Sequence, residues 1–226
     1  MNKIIIIGTS RGIGKELVLQ LASNKENEIH ALSRNNCPEF AAHANIIFHR
    51  FDLNSDKVRS NAEFIFEGIG EINFMVNNAG KLVNKPFLEL TADDIQSSYQ
   101  TNILGLIQST QAAVPHLLKS GAHVLNISSM GGFQGSVKFA GLSVYSTSKA
   151  ALCSFTELFA EEFKETTISM NCLCLGAVQT EMLNEAFPGY EAPHTPKEMA
   201  NYIADFLFNG HRFYRGKIIP LSVSTP

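Results

Sequence analysis

Short, unbroken apolar runs alternate along this chain with segments whose apolar residues recur every three or four positions. "KIIIIG" (3–8) is β-branched and ends in glycine. "EIHALS" (28–33), "NIIFHRF" (45–51), "INFMVNN" (72–78), "AHVLNISS" (122–129) and "TISMNCLCLG" (167–176) are similar, and "KIIPLSV" (217–223) is a weaker last member. Runs that are apolar at every position, rather than at alternate ones, predict strands covered on both faces, as in a parallel sheet. Between them, "GKELVLQLASN" (14–24) places Leu17, Val18, Leu21 and Ala22 on one helical stripe, and Leu152, Phe155, Phe159 and Phe163 repeat that spacing. Strand–helix alternation predicts an α/β fold: a Rossmann-type, doubly wound parallel sheet of about seven strands with helices on both faces. No repeat, low-complexity stretch or Pro/Gly/Ser-rich linker divides it, so residues 1–226 read as one domain. The loosest stretch, "NEAFPGYEAPHTP" (184–196), reads as a loop over a site.

Composition narrows the function classes. The 226 residues are 45% hydrophobic and 17% charged, with a formal net charge of −3. Without a long basic run, nucleic acid is not the expected partner. No stretch approaches the ~18 apolar residues of a membrane span, and Ile4 to Ile7 is too short for a signal segment. The expectation is a cytoplasmic protein that neither crosses nor binds a membrane. Cysteines stand at 37, 153, 172 and 174, with no CxxC pair and no zinc spacing with histidine, so no metal is expected. Cys172 and Cys174, two apart on a predicted buried strand, read as small core residues.

Candidate chemistry begins at "IIIIGTSRGIGKEL". Gly8, Gly12 and Gly14 fall between the first strand and the first helix. A helix N-terminus offers free N–H groups and partial positive charge, and glycines let a pyrophosphate approach that backbone. The spacing is GxxxGxG, and a glycine pattern alone is also compatible with a tight turn; the strand before and the helix after favour a dinucleotide. An acidic residue ~20 positions on would hold a ribose 2′-hydroxyl. Arg34 stands there instead, and Arg11 lies in the turn. Guanidinium suits a phosphate, which favours NADP(H) with NAD(H) possible, against a reading of two solvated surface arginines.

In "SVYSTSKAAL" (143–152), Tyr145 and Lys149 are four apart and share a helix face. The pair is compatible with an ordinary helix start. It is equally compatible with an acid and its activator, because a phenol of pKa ~10 is sluggish near neutrality and a nearby cation favours phenolate. Ser129 ends a predicted strand at the carboxyl edge where open α/β sheets bind ligands, and alternation points Ser128 the other way. Ser129 is also compatible with a strand cap, and Asn102 with a polar residue bonding helix backbone. The Phe155–Phe159–Phe163 stripe reads as core or subunit interface.

Taken together and in order, these motifs resemble the short-chain dehydrogenase/reductase family over nearly the whole chain. Gly8, Gly12 and Gly14 match its cofactor turn, with Ile7 where the family usually has Thr. The resemblance makes Ser10, Arg11 and Ile13 phosphate- and ribose-facing positions. It matches Asp52 and Leu53 to the acidic–apolar pair beside the adenine. "NNAG", with Asn78, Ala79 and Gly80, matches the motif lining the adenine ribose. It implies catalytic roles for Asn102, Ser129, Tyr145 and Lys149. Lys149 would also hold the nicotinamide ribose, and Asn102 would keep a water in a proton relay. Gly176, Val178 and Thr180 match positions meeting the nicotinamide carboxamide, with Leu175 in place of proline, which predicts a looser turn. The interval from Thr180 to Pro196 is short for a substrate lid, the loop from Ser129 to Tyr145 is long, and "YRGKIIPLSVSTP" (214–226) lacks the family's frequent Asp-Gly-Gly. The implied activity is NADPH-dependent reduction of a small-molecule carbonyl by a homodimer or homotetramer. The alternative is a nucleotide-sensing binding protein of the same fold without turnover. The sequence does not name the substrate.

Overall fold

The computed structural model describes residues 1–223; residues 224–226, the end of the 214–226 run, lie outside it. Seven strands form the predicted parallel sheet: β1 (Asn2–Ile7), β2 (Asn27–Ser33), β3 (Ile46–Arg50), β4 (Phe74–Asn77), β5 (His123–Ser129), β6 (Ser169–Leu175) and β7 (Ile218–Leu221). Their order is β3-β2-β1-β4-β5-β6-β7, with every pairing parallel. Leu175 closes β6 in register with Ser129 on one side and Leu221 on the other. Where proline would interrupt a ladder, leucine continues it.

The unbroken apolar runs have a direct cause. Helices α1 (Gly12–Ala22) and α7 (Pro196–Asn209) cover one face; α2 (Val58–Ile69), α4 (Gly105–Leu117) and α5 (Ser143–Glu162) cover the other. Alternate residues of β1 therefore enter different cores. Ile4 and Ile6 pack with Leu17, Leu125 and Leu207, while Ile5 and Ile7 pack with Phe66, Leu106, Leu117 and Leu152. Each fully buried isoleucine contributes roughly 1.5–3 kcal/mol of transfer free energy. The phenylalanine stripe of α5 belongs to the second core: Phe159 is buried, and Phe155 and Phe163 pack partly buried around it.

Local chemistry sets the helix starts. Thr195 and Glu198 form a reciprocal capping box with Pro196 in the first turn of α7, and Thr91 and Asp94 do the same for α3 (Ala92–Tyr99). A π-helical turn, Gln100–Leu104, joins α3 to α4 without a loop. The 184–196 segment is not wholly loop, because α6 (Glu181–Ala186) takes up its beginning. Strand order reverses between β1 and β4, which opens a crevice at their carboxyl ends. Among the described residues no helix is long and apolar enough to cross a membrane.

Candidate active site

A cleft of about 820 Å³ follows that crevice. Arg34, Asp52 and Leu53 line one end, and Gly8, Ser10, Arg11, Gly12 and Ile13 the middle. Asn78, Ala79 and Gly80 form part of its wall; Ser129, Tyr145, Lys149, Gly176, Val178 and Thr180 meet at the other end. Of the residues picked out from sequence, Asn102 and Gly14 sit behind this lining, where they hold it in place.

The glycine turn is built for close approach. Gly8 has φ +94°, and a Cβ there would lie 2.5 Å from the Ala79 Cα. A Cβ on Gly14 would lie 2.5 Å from Asn78 Nδ2 and collide with the Gly8 carbonyl. That carbonyl accepts a 2.7 Å hydrogen bond from Asn78 Nδ2, which ties the first strand's turn to the "NNAG" loop. Arg11 occupies the N-cap of α1 in extended geometry, with no side-chain cap and no acidic residue in the first helical turn. The free N–H groups of α1 thus face the cleft, as a pyrophosphate requires. This cradle fits a dinucleotide.

The two arginines differ. Arg34 is exposed at the rim. Arg11 is not a free cation: both its terminal nitrogens bond the Glu185 carboxylate on α6, Nη2 to Oε2 at 3.1 Å. The pairing raises the Arg11 pKa and lowers that of Glu185. Glu181 joins Glu185 in the lining, so two carboxylates stand beside the glycine turn. The sequence does not betray either acid, because pairing across 174 positions has no local pattern.

At the other end, β5 delivers Ser129 and the first two turns of α5 deliver Tyr145 and Lys149. Ser129 Oγ accepts from the Gly131 N–H at 3.1 Å, and its hydroxyl faces the Tyr145 phenol, where it favours the phenolate. Ser128 points away, its hydroxyl donating to the Lys149 carbonyl at 2.9 Å. The Lys149 ammonium donates to the Ile127 carbonyl at 2.8 Å. Burial is the main effect on both groups: it pushes the phenol of Tyr145 up, against the Ser129 hydrogen bond, and pulls Lys149 down to about 8. At Tyr145 desolvation sets the direction, opposed by Ser129.

Asn102, on the π turn, is fully buried. Its Oδ1 accepts from the Lys81 N–H at 2.6 Å, and its amide donates to the Lys81 carbonyl and the Ser148 hydroxyl, both at 2.9 Å. It fastens the "NNAG" loop to α5. Gly80 leaves room between it and the lysine: a Cβ there would lie 3.5 Å from Lys149 Nζ and 3.7 Å from Asn102 Oδ1. Lys81 and Ser148 are the partners that sequence reading missed.

Thr180 caps α6, accepting from the Leu183 N–H at 3.2 Å, while Val178 is buried and bridges to His194. The mouth is apolar, with Leu82, Phe139, Leu142, Met182, Phe187 and Tyr190 around it. Asn84 Nδ2 bonds the Ala186 carbonyl at 2.9 Å, anchoring the far end of α6 across that mouth. Behind Ser128, the thiols of Cys153, Cys172 and Cys174 lie together; their spacing in sequence concealed Cys153.

A parallel sheet with a glycine cradle at its switch point and a Ser/Tyr/Lys cluster at the carboxyl edge defines a dinucleotide-dependent oxidoreductase of α/β type. Residues 2–191 match the family model described as short chain dehydrogenase, and the chain belongs to that family of oxidoreductases. It is 30% identical over 192 residues to carbonyl reductase family member 4 of Xenopus laevis, covering 82% of this chain and 79% of that protein. It is 29% identical over 188 residues to the 3-oxoacyl-[acyl-carrier-protein] reductase of Mus musculus, covering 80% and 78%. Among solved structures, ElxO with NADP bound superposes with a TM-score of 0.83 at 24% identity, over 97% of this chain and 96% of that one.

Proposed function

We propose that the protein reduces a ketone or aldehyde of a small molecule to an alcohol, with NADPH as the preferred reductant. The convergence of Ser129, Tyr145 and Lys149 beside a groove shaped for pyrophosphate carries this reading. Bound NADPH would supply the hydride that reaches the carbonyl carbon. The Ser129 hydroxyl holds the carbonyl oxygen, and the Tyr145 phenol, protonated near neutrality, gives its proton to that oxygen as charge develops there. The Ser129 hydrogen bond and the Lys149 ammonium stabilise the phenolate left behind, and solvent returns the proton. Asn102 keeps the loop and helix around Lys149 in place.

The preference for NADPH rests on Arg34, since Arg11 is held by Glu185. The carbonyl and oxoacyl reductase relatives and the NADP-bound neighbour support the same chemistry. The reading takes residues 1–226 as one dinucleotide-binding domain working as a homodimer or homotetramer in the cytoplasm.

NADPH oxidation across a panel of ketones, aldehydes and quinones tests it. Tyr145→Phe should lower turnover by roughly 10²–10⁴-fold while NADPH still binds, since that is what a general acid contributes. Cofactor binding without turnover on any substrate would favour the sensor reading, and full activity in Tyr145→Phe would remove the assigned acid. Arg34→Ala should weaken NADPH but not NADH; equal affinities for both cofactors in the wild type would sink the arginine argument.

A further inference from the structure

Three of the four cysteines occupy one small volume. Cys172 and Cys174 project from the same face of β6, two residues apart. Cys153 descends onto that face from α5, one turn beyond Lys149. All three are buried and free, and their sulfurs lie within 4.8 Å of one another, with Cys153 and Cys174 at 3.5 Å. Three sulfurs around one zinc ion, at ~2.3 Å from it and in tetrahedral array, stand about 3.8 Å apart. The triangle is already near that size.

A fourth donor faces it. The Ser128 hydroxyl hydrogen goes to the Lys149 carbonyl at 2.9 Å, which turns its lone pairs toward the sulfurs, and Cys153 Sγ lies 3.4 Å from Ser128 Oγ. Met130, Phe133 and Ile218 pack around the cluster and form a dry wall. Lys149, whose side chain is buried, stands one turn before Cys153 on α5.

We propose that Cys153, Cys172 and Cys174 bind one soft divalent cation, with zinc as the probe, and that Ser128 Oγ closes the coordination shell. Three thiols and Zn²⁺ give a trithiolate complex of net charge −1 and release three protons to solvent. The Lys149 ammonium balances that charge. A closed shell of four protein ligands leaves no position for water or substrate, so the ion is structural. It pins α5 to β6 directly behind Ser129 and Lys149. This site stands independently of the carbonyl reduction proposed above.

The test uses the full chain, stripped of metal under reducing, denaturing conditions and refolded with or without one equivalent of zinc. Native mass spectrometry should find one zinc per chain. Cobalt should give the intense visible bands and sulfur charge transfer of a tetrahedral thiolate site. The zinc form should melt roughly 5–10 °C above the metal-free form at a hundredfold excess of free zinc over Kd. Cys153→Ala, Cys172→Ala and Cys174→Ala should each lose the cobalt bands, while Cys37→Ala, which removes the cysteine outside the cluster, should keep them. Circular dichroism of each metal-free variant separates loss of the site from loss of the fold, and Cys153→Ser supplies a milder substitution. No retained ion, an octahedral cobalt spectrum, zinc binding unchanged in the three variants, or a Cys153–Cys174 disulfide in place of metal would each overturn the proposal.

Discussion

Replacing Asn102 with alanine isolates one buried amide that joins two parts of the site. The substitution strands the Lys81 N–H, bonded at 2.6 Å, leaves the Lys81 carbonyl only the Ser98 hydroxyl at 3.4 Å, and removes the 2.9 Å donor to Ser148. An unpartnered buried polar group costs ~1–3 kcal/mol. Lys81 is half-buried, so its two groups fall at the low end of that range. Ser148 keeps its own 2.7 Å bond to the Tyr145 carbonyl, which limits its loss as well. The sum is about 3 kcal/mol. For a domain of this size each kcal/mol moves Tm by about 2–4 °C, so the variant should melt roughly 6–12 °C lower. Hydrogen exchange gives a local readout: the Lys81 amide should lose protection ahead of the amides of β4 and β5. NADPH affinity should fall too, because Asn78 to Gly80 form the groove wall. A Tm within about 2 °C of wild type, with the Lys81 amide still protected, would refute the view that Asn102 fastens this loop.

Other perturbations probe separate parts of the molecule. Gly14→Ala should destabilise the fold by about 1–3 kcal/mol and abolish tight cofactor binding, because its methyl meets Asn78 and the Gly8 carbonyl; an unaltered fluorescence titration with NADPH would show that the turn is open. Glu185→Gln should free Arg11, tighten NADPH severalfold and steepen the salt dependence of its Kd; weaker binding would mean that Glu185 helps to hold the cofactor. His123 is buried, with Nδ1 to the Leu207 carbonyl at 2.9 Å and Nε2 facing the Asn171 amide at 3.1 Å, so it is neutral with the proton on Nδ1. Burial and the nearby His211 lower its pKa from 6.5 to about 4. The unfolded chain then binds more protons between those values, and stability is complete above 6.5 and lost as pH falls toward 4, by roughly 3 kcal/mol for this one group. Urea midpoints should drop across that window and drop less in His123→Gln; identical slopes in the two proteins would assign the effect elsewhere.

The parts legible in the sequence are those with local causes. Covered strands demand apolar residues on both faces, so β1, β2, β5 and β6 appear as unbroken runs. A close-packed turn demands Gly8 and Gly14, and an active pair on one helix face demands the spacing of Tyr145 and Lys149. What stayed hidden depends on contacts between distant segments. The partnership of Arg11 and Glu185 needs α6 to fold back over the groove. The pKa direction at Tyr145 depends on how deeply α5 seats its first turn. Cys153 carries no mark of its neighbours, because only the packing of α5 on β6 brings it to Cys172 and Cys174. Asn102 matched a motif, yet its partners lie on another loop and another helix.

The π turn at Gln100–Leu104 has a consequence for how this enzyme tolerates length changes. A π turn is what a helix makes of one surplus residue. Residues 92–117 are thus a single rod whose two halves run in different frames, offset at Asn102. In one half Ser97 and Ser98 face inward; in the other Leu106, Ser109, Thr110, Ala113 and Leu117 do. Deleting one residue between 100 and 104 would restore a regular α-helix and leave the facing of its two halves nearly unchanged, but it would remove the widened turn that carries Asn102. The core beneath α4 would be kept, while the amide at position 102 would lose its place between Lys81 and Ser148. The count of residues in this segment, as much as their identity, fixes where the asparagine reaches.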